Sequence, residues 1–139
     1  MSNQEPDSYA LYIAGRTAMD SGDLQIAVER FKESVRGMPH FKTLELLGDC
    51  LMRLGEPGEA IVFLAAAAGL ARKQSKPRYL LAKCLVDLRR MNDAIEFLEQ
   101  ALELNPNYKA ARELLLLLRT EESNPKSNND DSEDIGDLQ

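Results

Sequence analysis

Apolar side chains return every three or four residues along most of this chain, in stretches parted by short polar or glycine-bearing breaks. The clearest stretch places Leu24, Ala27, Val28, Phe31 and Val35 on one face at the 3.6-residue period of an amphipathic helix. Across the chain the spacing predicts helices over about 9–19, 24–36, 41–54, 59–71, 77–89, 93–104 and 107–122. Ser8, Ser75 and Asn92 are the expected caps, with Pro77 at a helix start. Gly37-Met38-Pro39 and Asn105-Pro106 are stops, since proline cannot continue a helix. Breaks of two to five residues force neighbouring helices to lie antiparallel.

One order of residue sizes recurs. Ala27, Phe31 and Ser34 are followed in register by Ala60, Leu64 and Ala67, and then by Ala94, Leu98 and Ala101. The steps from Ala27 to Ala60 to Ala94 are 33 and 34 residues. A unit of that length cannot bury its apolar face alone, so the period predicts a stack of helix pairs. Gly15, Gly48 and Ala82 recur with the same period and are expected to let the helices of a pair cross closely, meeting Ala27, Ala60 and Ala94. The run Ala65–Ala68 is expected to admit a close neighbour.

These residues resemble the tetratricopeptide repeat family, whose pattern has a Leu-Gly pair in the first helix, Ala-x-x-x-Phe in the second and a closing proline. The first unit matches with Ala14-Gly15, Ala27, Phe31 and Pro39, and the second with Leu47-Gly48, Ala60 and Leu64. The third matches with Leu81-Ala82, Ala94, Leu98 and Pro106, while Arg72 stands where the second unit should close on proline. The resemblance implies an all-α fold, an alpha-alpha superhelix built as a right-handed solenoid of antiparallel helix pairs. The units are about 8–40, 41–74 and 75–107, with a terminal helix 107–122. Residues 1–7 read as a disordered lead-in and 123–139 as a disordered acidic tail.

A solenoid of this family carries its ligands on the concave face of the first helices, where extended peptides or partner helices dock. Helical spacing places Tyr9, Tyr12, Arg16 and Met19 there from the first unit. Lys42, Glu45, Asp49, Met52 and Arg53 follow from the second, and Lys76, Tyr79, Lys83 and Asp87 from the third. Relatives that capture chaperone carboxyl termini use paired Lys, Asn and Arg side chains. Here Tyr12, Arg16, Leu46 and Leu80 replace them and only Lys76 agrees, so that mode of binding is not expected.

Charge narrows the partner class. The formal net charge is −6, and residues 121–139 carry Glu121, Glu122, Asp130, Asp131, Glu133, Asp134 and Asp137 against Lys126. That segment alone accounts for −6, so the remainder is near neutral. It has no basic stripe for nucleic acid. Ile135 and Leu138, set among those acids, form a candidate linear motif that could visit the groove.

A single histidine, His40, leaves no metal-ligand pair and no serine–histidine constellation, so neither cofactor nor catalysis is expected. The amino-terminal residues do not resemble a secretory signal and no apolar run is long enough to span a bilayer, so a cytoplasmic location is expected. Cys50 and Cys84 occupy equivalent places on neighbouring units and read as two buried thiols. Leu116 and Leu117 fall away from the Tyr108–Leu118 face of the last helix and form a candidate association surface. The sequence thus predicts a non-catalytic adaptor holding a protein or peptide in its groove. The alternative is a subunit of a larger assembly, or a homodimer, joined through the terminal helix.

Overall fold

A computed structural model describes residues 7–122; all of the expected lead-in but Asp7, and the acidic tail with Ile135 and Leu138, lie outside the described residues. Among the described residues seven helices follow one another: α1 (Ser8–Asp20), α2 (Leu24–Gly37), α3 (Phe41–Arg53), α4 (Pro57–Leu70), α5 (Ser75–Asp87), α6 (Met91–Leu104) and α7 (Lys109–Glu122). Each even helix packs on the odd helix before it and on the odd helix after it, and α3 also touches α5. The result is an alpha-alpha superhelix of three pairs, with α7 laid on α6.

The turn inside each pair is built three times in the same way. Gly22 (φ +82°), Gly55 (φ +78°) and Arg89 (φ +65°) take the left-handed conformation one repeat apart. The next residue then donates back to the odd helix: Asp23 N to Ala18 O, Glu56 N to Leu51 O and Arg90 N to Leu85 O, each at 2.8 Å. Glycine makes this exit without steric cost, whereas Arg89 pays a Cβ penalty there.

Several expected helix starts are corrected. Asp7, not Ser8, caps α1, its carboxylate accepting from Ala10 N at 2.7 Å. Ser75 and Asn92 lie inside α5 and α6, whose N-cap residues Gln74 and Arg90 make no side-chain cap bond. Pro57 opens α4 two residues before the expected start at 59, because its missing N–H is not needed in a first turn. Helix α7 starts at Lys109 instead of 107, since Asn105 Oδ1 accepts from Asn107 N at 3.2 Å and holds a turn there.

The recurring small and large residues form the core. Ala27, Ala60, Ala94, Phe31, Leu64, Leu98, Ala67 and Ala101 are fully enclosed, and Ser34 nearly so. The side chain nearest each crossing glycine is the large residue of the paired helix. A Cβ added at Gly15 would lie 2.5 Å from Phe31 Cδ1, and one at Gly48 would lie 2.5 Å from Leu64 Cγ. The hole at each glycine is therefore filled by the large residue four positions beyond the alanine. Of the alanine run, only Ala67 and Ala68 are buried; Ala65 and Ala66 are exposed.

The connectors after α4 and α6 are pinned by arginines. Arg78 Nη1 donates to Arg72 O at 2.9 Å and to Gln74 O at 3.3 Å, and Arg112, one repeat later, donates to Pro106 O at 2.6 Å. The connector that lacks its proline is thus held by a side chain.

Candidate functional site

Helices α1, α3 and α5 carry the residues that the sequence assigns to a groove, and the 33–34-residue period sorts them. Tyr12, Glu45 and Tyr79 are equivalent, as are Arg16, Asp49 and Lys83; Lys42 and Lys76 form a third row. Register extends the second row to Leu117 on α7. Leu116 falls on the row of Gly15, Gly48 and Ala82, where the other repeats carry a small residue beneath the even helix.

At the first repeat the groove is aromatic. Tyr9 and Tyr12 have ring centroids 6.1 Å apart, and Tyr12 lies 6.3 Å from the buried Phe31. Arg16 donates to Tyr12 Oη at 3.0 Å, with its guanidinium 5.8 Å from the same ring. Its charge is therefore held against the groove wall.

The middle is charged but internally balanced. Glu45 is only 2% exposed, and its Oε1 takes Lys42 Nζ at 3.1 Å and reaches Lys76 Nζ at 3.9 Å. Burying a carboxylate is costly unless cations and hydrogen bonds pair with it. Glu45 acts here as the counter-ion of two lysines, leaving about one net positive charge. Asp49 accepts from Arg53 at 3.2 Å, a partly exposed pair that contributes little to stability. Met19 and Met52 are half-buried beside this row, and Asp87 is exposed.

At the third repeat Lys83 Nζ sits 5.6 Å from the Tyr79 ring centroid, and Tyr79 lies 5.1 Å from Tyr108. Burial, with smaller contributions from Tyr79 and Glu45, pushes the Tyr108 hydroxyl up to about 12. Tyr108 joins the site from the connector before α7, beyond the odd-helix faces that periodicity examines.

The connector between α2 and α3 adds further residues that helical spacing does not assign to the groove. Ser8, Tyr9, Tyr12, Ser34, Met38, His40, Lys42 and Thr43 line a largely apolar cavity of about 250 Å³. Ser34 Oγ donates to Ser8 O at 2.6 Å, tying α2 to the start of α1. His40 caps α3 through Nδ1, which accepts from Lys42 N at 3.1 Å and so leaves the proton on Nε2.

The cysteines are structural. Cys50 and Cys84 are buried and unpaired with each other, and burial pushes both thiols up to about 11. Cys84 Sγ also donates to Pro57 O at 3.1 Å. Among the described residues no three His, Cys, Asp or Glu side chains gather as metal ligands, and no helix is long and apolar enough to cross a membrane. At the far end, Leu116 and Leu117 are 59% and 56% exposed.

Residues 10–101 match the family model described as "Anaphase-promoting complex, cyclosome, subunit 3". No curated protein sequence matches the chain. Among solved structures, the first tetratricopeptide domain of Spaghetti (RPAP3), bound to the HSP90 peptide SRMEEVD, is 19% identical with a TM-score of 0.79. That similarity covers 82% of this chain and 91% of that one. MamA from Desulfovibrio magneticus RS-1 is 22% identical with a TM-score of 0.80, over 95% of this chain and 75% of that one. The translocator chaperone SycD of Yersinia enterocolitica, in an alternative dimer, is 19% identical with a TM-score of 0.78, over 88% and 99% of the two chains.

Proposed function

The chain belongs to the tetratricopeptide-repeat family that the anaphase-promoting complex subunit 3 model describes, and on that premise we propose that it is a non-catalytic adaptor which holds a protein partner in its groove. The observation that carries this reading is the odd-helix row itself. Tyr9, Tyr12 and Tyr79 keep ring surface open to solvent beside Arg16, Lys42 and Lys83. Exposed aromatic rings next to cations are the side chains that dominate binding energy at protein interfaces. Extended peptides meet such rows with alternate side chains, which suits a groove with one contact group per repeat. RPAP3, a fold neighbour, is bound to an HSP90 peptide, which supports peptide capture as a use of the fold.

Affinity capture with the full chain tests the reading. The double variant Tyr79→Ala/Lys83→Glu should lose captured proteins that the unaltered chain retains. Retention of every captured protein by that variant would count against groove binding.

A second reading is favoured by one observation. Leu116 and Leu117 are exposed on α7, beyond which no described helix lies. Association through this end would make the chain a subunit of a larger assembly, and SycD is a fold neighbour seen as a dimer. Leu116→Glu should then abolish association, while Tyr79→Ala/Lys83→Glu should leave it intact.

A further inference from the structure

We propose that the cavity between α1, the end of α2 and the start of α3 is the anchor subsite of the groove. It takes one large aliphatic or aromatic side chain of an extended partner segment, with a carboxylate beside that side chain on Lys42 and His40. The proposal rests on the groove reading above and names the chemistry of its ligand.

The size of the cavity points to a side chain. At about 250 Å³ it holds a leucine or phenylalanine side chain, and it falls below the roughly 300–1,000 Å³ of sites that enclose a whole small molecule. The walls select for an apolar occupant. Ser34 already donates to Ser8 O, and no buried side-chain nitrogen or oxygen among the described residues lacks a partner. A polar side chain entering here would lose water against a wall that is mostly carbon, and only the rim offers it donors.

Exposure marks the same place. Among the described residues the two most exposed large apolar side chains are Tyr9 at 71% and Met38 at 65%, and both line this cavity. Side chains of this size so open to water are ready to be covered by a partner.

The rim supplies the charge preference. Lys42 is the one lysine or arginine among the lining residues, and no acid lines the cavity. Its ammonium has three donors, of which Glu45 takes one at 3.1 Å. The His40 Nδ1 bond to Lys42 N turns the Nε2–H donor away from the helix it caps. A carboxylate adjacent to the anchor would therefore find two donors, and a cationic neighbour would meet Lys42. Because Glu45 already neutralises much of Lys42 and Lys76, the apolar anchor carries the selectivity and the carboxylate assists.

Fluorescence polarisation with the full chain tests this. The probe is fluorescein-labelled Ser-Asp-Leu-Glu-Ser with an amidated carboxyl end. Binding should be saturable and weaken at least about tenfold when the leucine is changed to alanine, as expected for loss of a buried anchor. Met38→Asp should weaken it to a similar degree, and Val62→Asp, an exposed position on α4, should leave it unchanged. Lys42→Gln should reduce the preference for this probe over its Ser-Asn-Leu-Gln-Ser counterpart.

Amide shifts on titration separate the two readings. Shifts at Tyr9, Met38 and Thr43 support the subsite. Shifts confined to Tyr79, Lys83 and Tyr108 overturn the subsite and leave groove binding standing, and no shift on any odd helix overturns both. Indifference to the leucine, or a concentration-dependent mass that Met38→Asp abolishes, also overturns the proposal, the latter by assigning the cavity to a second copy.

Discussion

The closest approach in the core gives the sharpest stability prediction. Gly48 sits where an added Cβ would lie 2.5 Å from Leu64 Cγ, and Leu64 is wholly buried. Gly48→Ala removes the entropic cost of a helical glycine, a gain of about 1 kcal/mol. It also forces Leu64 from its place, an overpacking cost of about 1–3 kcal/mol. The net should be a loss of about 0–2 kcal/mol. The decisive quantity is a double-mutant cycle. Leu64→Ala alone should cost about 2–5 kcal/mol through the cavity it leaves. In the Leu64→Ala background the new methyl at position 48 has nothing to strike. Gly48→Ala should then become stabilising, with a coupling of about 1–3 kcal/mol. Urea unfolding followed by circular dichroism measures all four corners. Gly58→Ala, with nothing within 4 Å of the added Cβ, is the control and should not destabilise. Coupling below about 0.5 kcal/mol would refute the assignment of Leu64 to the glycine's hole.

Other positions give independent tests. Arg89→Gly removes a side chain from a left-handed turn that glycine occupies in the other two repeats, and should raise stability by about 0.5–1 kcal/mol in the same unfolding assay. His40→Ala should cost about 1 kcal/mol by removing the cap of α3, whereas His40→Asp should keep it, read by thermal unfolding. Arg78→Ala frees the connector carbonyls of Arg72 and Gln74, so amide exchange from Arg72 to Ser75 should speed up while α1 and α2 stay unchanged. The thiols set a pH dependence. Cys50 and Cys84 rise from an ordinary 9.0 to about 11 on burial, so the folded chain holds protons that the unfolded chain releases. Their contribution is complete below about pH 9 and is lost as pH rises through about 11, a decline that Cys50→Ala/Cys84→Ala should make shallower.

The rows that build the fold were legible because size alone distinguishes them. Ala27, Phe31 and Ser34 recur in register, and a buried helix face tolerates little variation in volume. What escaped the sequence reading depended on neighbours from elsewhere in the chain. Arg89 hides a left-handed turn because its residue type argues against one. His40 is an unusual cap, which propensity does not anticipate. Glu45 shares its register with Tyr12 and Tyr79, so nothing local shows that it alone is enclosed by lysines from two helices. The cavity escaped because Met38 and His40 lie in a connector, outside any helical face. Leu116 and Leu117 look alike on a helical wheel, and only the repeat register separates the crossing row from the groove row.

Site-specific photo-crosslinking decides most directly whether partners occupy the groove. A benzoylphenylalanine placed at Tyr79 on the full chain should capture partner protein, while the same group at Val62 or Leu116 should capture none of it. Capture from Leu116 with none from Tyr79 would contradict the account and move the binding surface to the terminal helix.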